Sequence, residues 1–168
     1  MQRNTKRKAR LWLAAALLAA AGGAIAGVTV DYTDPEKFID LPRSPHERDR
    51  VLKEVRDHFT KLGNDLPAGQ DLKVTISDID LAGWAEPRRW STDDVRIMRG
   101  GADWPRIDLT YTLEQNGQVL RSGKDSLKNM MYQQRINRYT SSDPMRYEKQ
   151  MIDDWFKTAI TGGQVSSK

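Results

Sequence analysis

An α+β domain is the fold class the sequence predicts: a mostly antiparallel sheet of four to five strands covered by two helices, in the order β-α-β-β-β-β-α. Three observations carry this expectation. Residues 107–113 alternate apolar and polar side chains and lead through Asn116-Gly117 into Gln118-Val119-Leu120, which is hairpin grammar. Apolar residues recur at helical spacing after Ser44-Pro45 and again after Asp143-Pro144. The 168 residues are 38% hydrophobic, enough for one core and too few for a polytopic membrane protein.

The N-terminal segment, residues 1–26, has the three parts of a secretory signal peptide. Arg3, Lys6, Arg7, Lys8 and Arg10 form a basic start, Leu11 to Ala21 an apolar stretch, and Ala24-Ile25-Ala26 a small-residue cleavage site before Gly27. The charge-free run from Leu11 to Val30 leaves an uncleaved anchor as the alternative. Those five bases account for the net charge of +4: without them 22 Lys and Arg face 23 Asp and Glu. The region beyond residue 26 is therefore near neutral, and nucleic acid is not an expected partner. The chain has no cysteine, which removes disulfides, thiolate metal sites, a cysteine nucleophile and lipid attachment at cysteine. The expectation is a protein of the bacterial periplasm with no membrane span after cleavage, carrying one domain over residues 27–168.

Val28-Thr29-Val30-Asp31-Tyr32 alternates and precedes the turn-forming Asp34-Pro35, predicting a short first strand. Ser44-Pro45-His46-Glu47 has the pattern of a capping box with proline at the first helical position. The helix it starts buries Val51, Leu52, Val55, Phe59 and Leu62 and stops at Gly63. His46 and His58 are the two histidines of the chain. Twelve positions apart, they lack the four-residue spacing of a helical zinc pair and read as ordinary polar residues.

Leu72, Val74 and Ile76 share one parity, and Ile79 and Leu81 the other. This strand is expected to change phase near Ser77-Asp78 through a β-bulge. Asp78 and Asp80 then share a face. Paired carboxylates bind cations or divide acid and base roles, and a solvated strand end is the plainer reading.

Residues 82–106 concentrate Trp84, Trp90 and Trp104 among Arg88, Arg89, Arg96, Arg99 and Arg106. Val95 to Met98 form a short strand there and Gly100-Gly101 a turn. Tryptophan and arginine supply stacking, cation–π contacts and forked hydrogen bonds. That chemistry makes Trp84, Arg88, Arg89, Trp90, Arg99, Trp104 and Arg106 the candidate residues for an envelope protein or glycan ligand. A loop that folds its tryptophans onto the core is the alternative.

The hairpin spans Arg106 to Ser122. The basic stretch from Arg121 to Arg138, with Tyr132 and Tyr139, matches no nucleic-acid motif and reads as a solvated loop balanced by acids elsewhere. Met151, Ile152, Trp155, Phe156, Ala159 and Ile160 then define a closing helix that ends at Gly162-Gly163, with Glu148, Lys149, Asp153, Asp154 and Lys157 on its wet side. The face of the sheet away from the helices carries Lys73, Thr75, Asp108, Thr110 and Thr112.

Taken together, VTVDYTDPEKFIDL, LPAGQDLKVTISDIDLAG, RGGADWPRIDLTYTL and DPMRYEKQMIDDWF resemble a secreted bacterial family, domain of unknown function 3016, over nearly all of the region beyond residue 26. The resemblance implies an exported, periplasmic protein and brings no activity, cofactor or catalytic residue with it. No Gly-x-Ser-x-Gly elbow or phosphate-cradling glycine loop is present, and no cofactor is expected. The functional expectation is a non-enzymatic binding or accessory module using residues 82–106. The alternative is a metal-assisted hydrolase using Asp78, Asp80 and Asp103.

Overall fold

The computed structural model describes residues 26–86 and 95–162. Its elements are β1 (Gly27–Tyr32), α1 (Pro45–Leu62), β2 (Gln70–Asp80), β3 (Trp84–Glu86), β4 (Val95–Ile97), β5 (Arg106–Gln115), β6 (Gln118–Lys128) and α2 (Arg146–Trp155). One wide π turn, Phe156–Ile160, continues α2. The expected leader lies outside the described residues except for Ala26. Among the described residues no helix is long and apolar enough to cross a membrane.

The main sheet has four strands in the order β1-β2-β5-β6. Two features depart from the expected antiparallel sheet. β1 runs parallel to β2, with Val30 opposite Val74. The helix between them is the reason: α1 carries the chain back to the end where β1 began, and a crossover of that kind joins parallel strands. The strand expected at Val95–Met98 also leaves the sheet. It pairs instead with β3 as a separate two-stranded ribbon, Trp84 opposite Ile97.

Other local expectations hold. Asn116 and Gly117 both have positive φ, 50° and 80°, so the hairpin closes on a two-residue turn of the primed type. The β2–β5 register shifts between Ile76 and Asp78, leaving Ser77 as the extra residue of a bulge. That one-residue change of phase turns Ile79 inward, where it is fully buried together with Leu72, Val74 and Ile76.

Both helices cover the face formed by Leu72, Val74, Ile76, Leu109, Tyr111 and Leu113 in one continuous core. Trp155 joins the layers: its ring meets Phe59 of α1 edge-on at 5.9 Å and Tyr111 of β5 at 5.4 Å. Such pairs contribute about 0.5–1.5 kcal/mol each beyond the burial of their area. Proline stands at the first turn of α1 as expected, but Ser44 makes no side-chain cap bond, and Glu47 pairs with Arg50 at 2.7 Å instead. At α2 the Asp143 carboxylate accepts the Met145 N–H at 2.9 Å, one residue ahead of the helix.

Glu148 corrects the expected wet side of the closing helix, because it is buried. It stands four residues before Ile152 and seven before Trp155, within the apolar stripe rather than opposite it.

A candidate ligand cleft beside the ribbon

Gly83 starts the ribbon. Its φ is +80°, and a Cβ there would lie 2.6 Å from Met98 Sδ and 2.8 Å from the Ile97 carbonyl, so only glycine fits this crossing. Arg96 on β4 then anchors it. The guanidinium donates to the carbonyls of Leu81, Ala82 and Gly83 at 3.0–3.1 Å and pairs with Asp40. One side chain therefore ties β4, the exit of β2 and the segment before α1 into a single unit.

Asp103 performs the matching task at the other end. It is 6% exposed; Oδ2 accepts the N–H groups of Arg99 and Gly100, and Oδ1 accepts the Tyr132 hydroxyl at 2.9 Å. Burial and this hydrogen bond to Asp103 push the Tyr132 hydroxyl up to about 12. Asp78 is similarly occupied, by the Ile39 N–H at 2.9 Å and by Arg106 at 2.9 Å. Burial first, and then the neighbouring Asp40, raise the Asp80 carboxyl above its ordinary value. Among the described residues no three His, Asp or Glu side chains gather as a metal ion would require, so the structure does not bring Asp78, Asp80 and Asp103 together as a metal centre.

The tryptophan and arginine candidates separate by environment. Trp84 is 59% exposed on β3. Arg99 pairs with Glu86 across the exposed ribbon. Trp104 packs against the small cluster of Ala82, Tyr132 and Tyr147. Arg106 is held by Asp78 and, at 3.8 Å, by Asp108. Arg88, Arg89 and Trp90 lie outside the described residues. The basic stretch is a loop only in part: Arg121 to Lys128 belong to β6 and Tyr132 is buried, while Arg135 and Arg138 beyond the strand bind Asp154.

Beside the ribbon, between the segment leading into α1 and the start of α2, lies a cleft of about 530 Å³. Its walls include Leu41, Val51, Ala85, Met98, Met145 and Tyr147. The volume falls within the range of small-molecule sites, and the wall mixes these apolar groups with charged side chains, among them Arg43, Glu47, Arg50, Glu54, Asp143 and Arg146. Glu148 belongs to the lining and is 2% exposed. Its Oε1 accepts the Ala82 N–H at 2.7 Å, while Oε2 has no hydrogen-bond partner. Burial raises its pKa and outweighs the opposing Ala82 N–H and Arg96. In its protonated form such a carboxyl is a hydrogen-bond donor as well as an acceptor.

A second, wider cleft of about 1040 Å³ separates α1 from the segment around α2. At its wall His58 Nε2 meets Asp153 Oδ1 at 2.7 Å and the Lys149 carbonyl at 3.2 Å, and the Tyr139 hydroxyl donates to Asp153 Oδ2 at 2.7 Å. Two acceptors on Nε2 require the hydrogen there. Lys149 bridges Glu54 and Asp143. Burial raises the Asp153 carboxyl, but the hydrogen bonds from His58 and Tyr139 outweigh it and hold the pKa below the ordinary value. The groups here satisfy one another across the two helices, which is the chemistry of a latch.

Sequence reasoning missed both Glu148 and His58. The signal was present: His58 stands three residues after Val55 and seven after Val51, inside the apolar stripe of α1. A titratable residue within such a stripe needs a partner or a cost in ionisation, and His58 pairs with Asp153 while Glu148 keeps one oxygen without a partner.

No curated protein and no solved structure matches the chain. A family model described as "Protein of unknown function (DUF3016)" matches residues 26–158. That span takes in every element from β1 to α2, and the chain belongs to this family.

Proposed function

We propose that the protein is an exported binding module of the bacterial envelope, without catalysis of its own, and that it takes a small amphipathic molecule into the cleft beside the ribbon. The observation that carries this reading is the cleft itself: about 530 Å³, with walls that mix apolar and charged side chains and a buried carboxyl that has one unpartnered oxygen. An apolar body would lie along Leu41, Val51, Met98 and Met145, and its polar end would meet the charged side chains of the wall, Arg43, Arg50 and Arg146 among them. The ribbon contributes Ala85, Arg96 and Met98 to the lining, which supports the assignment of residues 82–106 to binding. The export reading rests on the basic, apolar and small-residue succession of residues 1–26.

Native mass spectrometry of the protein taken from its own cell envelope tests both parts. The expected result is a chain beginning at Gly27 that retains a small molecule, with the retained mass absent from an Ala85→Arg variant. Ala85 is exposed, so the arginine would narrow the cleft without entering the core. A bare chain in both samples, or the same molecule bound by both, would overturn the cleft assignment. A chain that keeps residues 1–26 in a membrane fraction would overturn the periplasmic reading.

A further inference from the structure

β6 lies at the end of the sheet and pairs only with β5. Its residues 118–124 are all exposed. The opposite end of the sheet is different. There Arg56 reaches the Val30 carbonyl at 3.4 Å, and the backbone at Gly63 closes on Val28 so tightly that a Cβ would stand 3.0 Å from its side chain. β6 is therefore the open edge among the described residues, and an open edge is a template for another strand.

The residues along β6 specify which strand. Gly123 divides it, with Arg121 two positions before and Asp125 two positions after. In an antiparallel pair of identical strands whose two-fold axis passes through Gly123, Arg121 of each copy faces Asp125 of the other. Ser122 then faces Lys124, and the regular pairing ends at Arg121, because Leu120 is the extra residue of a bulge where the β5–β6 register shifts. No like charges meet, and opposite charges meet twice. Moving the axis to Lys124 sets two lysines against each other, while moving it to Ser122 sets Arg121 against Gly123 and leaves Lys124 and Asp125 opposite the bulge at Leu120 with no charged partner. Charge therefore selects one register. Within the chain, Asp125 uses Oδ2 for Trp155 Nε1 at 2.8 Å, and Arg121 uses Nη1 for the Ala159 carbonyl. These contacts place both side chains on the helical face and engage Asp125 through Oδ2 and Arg121 through Nη1.

We propose that β6 is a self-association edge: two copies of this chain join antiparallel about Gly123, extending the four-stranded sheet into a continuous sheet of eight. The pairing is isologous, so it closes at two copies and leaves no free β6 edge to propagate.

The absence of cysteine makes the register directly testable. Arg121→Cys and Asp125→Cys are made separately, and each protein is oxidised alone and in an equal mixture. In the proposed register only the mixture brings two cysteines into opposition, at a separation a disulfide spans, while the second Arg121–Asp125 pair stays intact in the mixed dimer. The expected result is a crosslinked dimer from the mixture and little from either protein alone. Sedimentation of the unmodified protein should show a concentration-dependent dimer. Arg121→Asp should weaken it roughly tenfold, and the double exchange with Asp125→Arg should restore it. A protein monomeric at every concentration, equal crosslinking in single and mixed samples, or a double exchange that does not restore the dimer would each overturn the proposal. Circular dichroism of each variant separates loss of pairing from loss of fold.

Discussion

Glu148 shows how one misplaced charge reorganises a helix face. Ionising it inside the protein would leave a carboxylate with a single backbone donor, so the folded state favours the acid. A folded-state pKa above the unfolded value gives a definite sign. The folded chain holds a proton that the unfolded chain releases, so stability is fully present below the ordinary carboxylate pKa and falls as pH rises through the folded-state value. Glu148→Gln keeps an acceptor for the Ala82 N–H and cannot ionise. Its urea midpoint should therefore stay flat across that interval while that of the unmodified protein falls. At the alkaline end the variant should be the more stable by about 1–3 kcal/mol, the cost of one unsatisfied buried group. Parallel curves for the two proteins would mean that Glu148 does not titrate in this range.

Asp153 has the opposite sign. Its folded-state pKa lies below the unfolded one, so it stabilises the fold above the ordinary carboxylate range, and that contribution is lost as pH falls through the depressed value. Asp153→Asn should cost about 1–3 kcal/mol near neutral pH, because His58 and Tyr139 lose a charged acceptor. In acid the two proteins should converge. Unfolding midpoints measured at successive pH values check this, and a variant whose deficit is the same at every pH would show that the charge of Asp153 does not matter to the latch.

Among the elements, the ribbon depends most on a single residue. β3 and β4 are three residues each, and pairing of that length is too short to stand alone. Arg96 supplies the remaining connection through three carbonyls and Asp40. Arg96→Ala should reduce stability by about 2–3 kcal/mol and release the amides of β3 and β4 to hydrogen exchange while those of β2 and β5 stay protected. Arg96→Lys should not rescue it, since one ammonium cannot reproduce the planar fork that reaches several acceptors at once. Uniform protection across both sheets in the alanine variant would show that the ribbon is held by other contacts.

The same element explains why part of the architecture was hidden. Trp84 and Ala85 are exposed and Glu86 is half-buried, so β3 has no alternation of burial for a sequence pattern to report. The hairpin of β5 and β6 was plain because its turn chemistry is local: two consecutive positive φ values need Asn-Gly or a near equivalent. The bulge in β2 was equally plain, since one extra residue shifts the parity of every later side chain.

At the scale of the molecule, the order of elements is the one expected except for β3, yet the sheet is mixed. Period-two alternation in β1 says which face is buried and nothing about the direction of its neighbour. A strand, a helix and a strand in succession did contain that information, because the crossover returns the chain to its starting end. The open β6 edge is also a property of this scale. It exists because β1 lies at the far end of the order and β3 and β4 pair with each other instead of extending the sheet.

By itself the sequence determined the two helices, the hairpin, the phase change in β2 and the family, because each rests on spacing within a short window or on a run of matching residues. The tertiary structure decided the parallel pairing of β1, the separation of the ribbon, the burial of Glu148 and the meeting of His58 with Asp153. Those outcomes join residues far apart in the chain: Ala82 with Glu148, His58 with Asp153, Asp40 with Arg96. A side chain's local spacing places it on a face, and only the packing of that face against another element settles whether its charge is paired, neutralised or left in water.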